Sequence, residues 1–246
     1  MSIRTEFEKS GSWLFRHRSF LAIAAVPLIA TGMSSFTYLG NTHLFDAVWD
    51  GICLLVSFSG LAVRVLTIGY VPRNTSGRNT REQIAETLNT TGMYSLVRHP
   101  LYLGNYLAVL GMAMFFHTLW MVVGATALYA LFYERIMFLE ESFLRQRFGD
   151  AFERWAEVTP SIIPRLRLWE RPNLPFSWRT VLRREYTGFF VVIFAFFLLE
   201  LAGDSIAEGH LRIEWPWVIF VVFGATVYLT LRTLKKRTGL LNVDGR

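Results

Sequence analysis

The sequence predicts an all-α polytopic membrane helical bundle with about six transmembrane helices and cytoplasmic interfacial helices. It reads as a single integral membrane domain over residues 1–246. Three observations carry this. Only 18% of the residues are charged, below the roughly 25% of soluble domains. The mean hydropathy is positive, at +0.34, and 15% of residues are aromatic. Six apolar stretches approach the roughly 20 residues that a helix needs to cross hydrocarbon.

The stretches run from Phe20 to Leu39, Ala47 to Val71, Leu101 to Phe116, Leu119 to Leu139, Thr187 to Leu201 and Trp215 to Leu234. The first comes after Arg16, His17 and Arg18, carries Pro27, and is longer than the apolar core of a signal peptide, so it reads as a retained helix. The third and fifth are short and would tilt or merge with interfacial helices. With the N-terminus inside, all but three of the 25 Lys and Arg residues fall on cytoplasmic pieces. Arg64 and Arg135 then lie near cytoplasmic helix ends, and Arg212 lies outside. The outer loops carry Asp46, Asp50, Asp204, Glu208 and Glu214. Both termini are therefore expected in the cytoplasm, with the protein in a bacterial inner membrane. The net charge of +6 is explained by attraction to anionic headgroups, without nucleic acid. The single cysteine, Cys53, leaves no internal disulfide and no thiolate-based metal cluster, and no metal site is expected.

Polar chemistry gathers in two inner segments, Pro72 to Pro100 and Glu140 to about Arg184. Thr80 and Gln83 have the spacing of a capping box that opens a short interfacial helix from Arg81 to Leu88. Pro100 disfavours helix at His99 and suits the first turn of the next helix, which places Arg98 and His99 at a helix entrance. There they would hold an anion or, on the blander reading, snorkel to headgroups. Arg64 lies inside an apolar run, where a charge implies a partner or ligand unless it reaches water. Glu134 and Arg135 suggest an ion pair across a helix interface. Glu140 and Glu141 end a helix against the preference for cations at that terminus. They would hold a cationic ligand, an amine or a ribose, or be solvated and bridged to Arg145. Phe152 and Trp155 share a helix face, as an interfacial anchor or as a pocket wall.

Gly92-x-Tyr94-x-x-x-Arg98-His99-Pro100-x-Tyr102-x-Gly104, with Glu140-Glu141, Phe148-Gly149, Phe152, Trp155 and Pro160, resembles the two signature blocks of the isoprenylcysteine carboxyl methyltransferase family. That family includes phosphatidylethanolamine methyltransferases. Phe152 and Trp155 stand where it usually has tyrosines. The resemblance covers residues 64–164 and leaves residues 185–234 as an additional C-terminal transmembrane hairpin. It implies a membrane enzyme that takes S-adenosylmethionine from the cytoplasm and methylates a lipid or lipidated acceptor within the bilayer. By the same resemblance, Tyr94, His99, Pro100, Tyr102, Gly104 and Glu141 would bind the cofactor, while Arg64, Arg98 and Glu140 would be catalytic.

The arginines around the first inner segment favour an anionic acceptor, either a lipid phosphate such as that of lipid A or a prenylcysteine-type carboxylate. Arg73 and Arg78 would contact it. An ethanolamine amine is the alternative and would need a carboxylate to take its proton. A transporter or scaffold would place polar groups near the middle of several helices or show inverted repeats, and neither is evident. The sequence leaves the oligomeric state open.

Overall fold

The computed structural model describes residues 3–17, 21–73, 75 and 84–246, and the described residues form helices and connecting turns without strands. The helices are α1 (Ile3–His17), α2 (Leu21–Ala24), α3 (Val26–Ser34), α4 (His43–Ile68), α5 (Met93–Leu96), α6 (Pro100–Met114), α7 (Leu119–Phe148), α8 (Asp150–Val158), α9 (Trp178–Glu208) and α10 (Trp215–Arg237). Among these, α4, α7, α9 and α10 are long and apolar enough to cross a membrane, which makes this an integral membrane protein. The other two apolar stretches form shorter helices. Leu101 to Phe116 becomes the 15-residue α6. Phe20 to Leu39 is divided, because Pro27 opens a new helix at α3 that ends at Ser34. The stretch at Thr187, by contrast, lies within the 31 residues of α9.

Small residues let α4 and α6 approach backbone to backbone, the packing that membrane helices use where lipid removes the hydrophobic drive. A Cβ at Gly104 would lie 2.6 Å from the Gly60 carbonyl oxygen, and one at Gly111 would overlap Ser57 and the Cys53 carbonyl. Ser57 seals the contact by donating to the Ala108 carbonyl at 2.9 Å. Cys53 is fully buried there. The α9–α10 hairpin closes on rings: Tyr186 and Phe190 meet Tyr228, and Phe196 lies parallel to Trp217.

The amphipathic α1, an element the hydropathy pattern does not reveal, packs Leu14 and Phe15 against Ile136 of α7. It also accounts for Arg135, which donates to the Leu131 carbonyl and lies 5.2 Å over the Phe7 ring. The expected ion pair at Glu134 and Arg135 is thereby corrected. The capping-box residues Thr80 and Gln83 fall outside the described residues. Residues 84–88 run as bends and extended chain, so the helix expected there does not extend through them.

An irregular strap, residues 159–177, runs along residues 92–98. Three bonds between them are backbone to backbone: Arg98 N–H to Pro160, Arg165 N–H to Leu96, and Gly92 N–H to Glu170, at 2.9–3.0 Å. The strap satisfies donors that have no helical partner.

Gly111→Val should force α4 and α6 apart and lower stability by about 1–3 kcal/mol. Gly51, where a Cβ meets open space, should tolerate alanine and gain roughly 0.5–1 kcal/mol. Thermal unfolding of detergent-purified variants checks both.

Candidate active site

His99 caps the first turn of α6, and Pro100 supplies the helix's opening residue. A residue before proline is pushed out of helical geometry, which turns His99 and Arg98 towards the end of α7. That helix runs several turns past its most apolar part and brings Glu140 and Glu141 to the same level. Arg98 Nη1 donates to Glu141 Oε2 at 3.0 Å, and His99 Nε2 lies 3.0 Å from Glu141 Oε1. His99 Nδ1 is 3.8 Å from Glu140 Oε2, and the Tyr102 hydroxyl donates to Glu140 Oε1 at 2.5 Å. Arg98 Nη2 donates to Ser161 of the strap, while Arg98 Nε is buried without a hydrogen-bond partner.

These groups border a cavity of about 300 Å³. Tyr94, Arg98, His99, Pro100, Tyr102, Glu140 and Arg64 all line it. Glu141 fixes Arg98 and His99 by the bonds above. Burial, and then the charge of Glu140, push the Tyr94 phenol above its ordinary range, so it remains a hydrogen-bond donor. Trp155 lines the cavity and donates to the Tyr94 carbonyl at 3.1 Å, whereas Phe152 is fully buried beneath Arg145. Arg145 pairs with Glu153 at 2.5 Å, so the bridge expected from Glu141 gives way to a contact with α8.

Two sequence expectations are redrawn, and a third is left outside the described residues. Gly104 stands in the α4–α6 contact, against Gly60 and Arg64, and does not line the cavity. Arg73 lies off the cavity as well, its backbone N–H donating to Gly245. Arg78 falls outside the described residues.

Arg64 is held by residues that carry no motif. Its Nε and Nη2 donate to both oxygens of Glu185 at 2.6 and 2.8 Å, and Nη1 donates to Asn105 Oδ1 at 2.6 Å. Such a fork-to-fork pair fixes direction as well as charge. Arg184 and Glu185 lie about two turns into α9, and both line the cavity with Phe15 of α1. A lone acid beside Arg183 and Arg184, at the cavity end of an apolar run, departs from the basic trend as Glu140 and Glu141 do. That was the available signal for Glu185.

The phospholipid methyltransferase family matches residues 73–151. A cobalt-zinc-cadmium resistance protein, CzcN, of Cupriavidus metallidurans is 35% identical over 64% of this chain and 68% of its own. A nickel-cobalt-cadmium resistance protein, NccN, of Alcaligenes xylosoxydans xylosoxydans is 30% identical over 64% of this chain and 70% of its own. The protein-S-isoprenylcysteine O-methyltransferase of Schizosaccharomyces pombe is 38% identical over 31% of this chain and 33% of its own. No solved structure matches the chain significantly. A cavity at the joint of α6 and α7, bordered by the residues of both signature blocks, accords with these likenesses: the chain belongs to the membrane methyltransferase family that takes in phospholipid and isoprenylcysteine methyltransferases.

Proposed function

We propose that the chain transfers a methyl group from S-adenosylmethionine to an anionic oxygen on a lipid or lipidated substrate, with the cavity opening to the cytoplasmic side of an inner membrane. The observation that carries this reading is the Arg98–Glu141–His99 joint at the cavity wall. When bound, the donor supplies an electrophilic methyl carbon on a positively charged sulfur. The lining suits such a molecule. The Tyr102 ring, 5.0 Å from that of Tyr133, offers a π face to a cation, and Glu140 adds a carboxylate. The unpartnered Nε of Arg98 is a buried donor available to a carboxylate. Tyr94, His99 and Pro100 complete that side of the pocket. Arg73 and Gly104 do not line the pocket.

Methyl transfer needs alignment, exclusion of water and tolerance of dispersing charge more than it needs proton transfer. Arg64, held by Glu185 and Asn105, presents a fixed guanidinium that orients an anionic oxygen, already a nucleophile, without a general base. Arg64, Arg98 and Arg184 line the cavity with Glu140 and Glu185, and Glu141 pairs with Arg98, so the anionic acceptor is supported by the placement of the Arg64 guanidinium and not by net charge. A lipid phosphate and a prenylcysteine-type carboxylate share this chemistry. The crowding of Lys and Arg towards the cavity end of the helices supports a cytoplasmic orientation. The metal-resistance names of two relatives suggest a setting for the reaction: acceptor labelling that rises when cells meet cobalt or cadmium would support it, and unchanged labelling would count against it.

Calorimetry with S-adenosylhomocysteine on detergent-purified protein should register binding. His99→Ala and Glu141→Ala should each weaken it by about 10- to 100-fold, the worth of a charged hydrogen bond. Arg64→Ala should spare that affinity and depress turnover, and the reverse pattern would refute these roles. Glu185→Gln strands a part-buried guanidinium and should lower stability by roughly 3 kcal/mol, read by thermal unfolding. Incubating membrane lipids with radiolabelled donor should yield label as a methyl ester. Label on an ethanolamine nitrogen would overturn the anionic acceptor.

A further inference from the structure

At the end of the bundle opposite the cavity, acidic side chains are buried with no arginine or lysine paired to them among the described residues. Asp46, Asp50, Glu200 and Asp204 are each at most 5% exposed. Burying carboxylates is expensive unless a proton or cation accompanies them. Part of the set is accounted for: Tyr38 donates to Asp204. Asp50 Oδ1 has no hydrogen-bond partner, although the residue is 3% exposed. Nor does His117 Nε2, which stands 3.1 Å from Asp46 Oδ1 without hydrogen-bond geometry.

We propose that Asp46, Asp50 and His117 bind a divalent first-row transition metal of the zinc or cobalt class. One ligand atom from each lies within 4.8 Å of the other two. Two ligands on a tetrahedral centre with bonds of about 2.0–2.1 Å stand roughly 3.3 Å apart, close to the spacing of His117 and Asp46. One imidazole with two carboxylates is a borderline donor set that suits zinc or cobalt better than magnesium or calcium, which take oxygen ligands.

The surroundings brace the site. His117 Nε2 stands 3.1 Å from Asp46 Oδ1 without a hydrogen-bond partner and so faces it. Asp46 Oδ1 accepts the Leu39 N–H at 2.9 Å. Outer partners of this kind fix the orientation of metal ligands. Phe36, Phe115 and Trp49 surround the imidazole and keep the site dry. Three protein ligands leave a fourth position for water or an exchangeable group. The neighbouring group of His43, Asp204 and Glu214 is committed otherwise: Glu214 pairs with His43 and Arg212, and Asp204 accepts from Tyr38. This site is independent of the reading of the methyl-donor pocket.

The test is titration of chelator-treated, detergent-purified full chain with Co²⁺, tracked by its visible d–d bands, and with Zn²⁺, tracked by calorimetry and melting temperature. One metal per chain and a melting temperature that rises with added metal are expected. Asp50→Asn and His117→Gln should weaken binding by about 100-fold or more, while His43→Gln should retain it. Asp50→Asn is nearly isosteric, and its melting temperature without metal checks that it folds. Absence of binding to the parent chain would overturn the site and leave a buried polar cluster that includes the His117–Asp46 contact. Binding that survives Asp50→Asn, or that Mg²⁺ matches, would overturn it equally.

Discussion

The architecture around the cavity depends on one joint, where the guanidinium of Arg98 and the imidazole of His99 both engage the carboxylate of Glu141. It ties the opening turn of α6 to the end of α7, two helices that otherwise meet mainly through apolar and aromatic side chains. α7 continues about two turns beyond Glu140 and Glu141, where the sequence predicts its end, and a part-buried carboxylate there is costly without partners. The two cationic or hydrogen-bonding partners from α6 compensate it, and the arrangement therefore requires both segments together. A polar cluster of this kind specifies which helix ends meet, something lipid-facing packing alone does poorly.

Two supports hold the joint in place. The strap bonds along residues 92–98 through its own backbone and fixes Arg98 from the outside, with Ser161 adding a side-chain contact. From the other side, α9 delivers Glu185 to Arg64, so the C-terminal hairpin contributes directly to the cavity that the family match, ending at residue 151, covers only in part. The close α4–α6 packing through Gly60 and Gly104 sets the position of Arg64 relative to Tyr102 and Asn105 on α6.

The long spans were legible because hydrocarbon thickness demands long apolar runs, and α4, α7, α9 and α10 satisfy that demand by composition. The division at Pro27 was not, since a proline within an apolar run is tolerated in some helices and starts a new one in others. α1 escaped notice because an interfacial helix needs only a narrow apolar face. Within the site, the pairing of Arg98 and His99 with Glu141 could be anticipated from anomalies: charges where a membrane helix end should lack them. Glu185 carried the same anomaly but lay beyond the recognisable blocks. Ser161 and the strap carried none, because irregular backbone paired with irregular backbone leaves no periodic trace. The Asp46, Asp50 and His117 cluster was equally opaque, since it forms only when the loop after α6 folds over the first turns of α4.

Hydrogen–deuterium exchange of the detergent-purified chain, with and without S-adenosylhomocysteine, tests the central claim most directly. Protection confined to residues 92–104 and 140–161 is expected if the two segments jointly form the donor pocket. Protection confined to one of them, or located instead around residues 37–50 and 117, would contradict it.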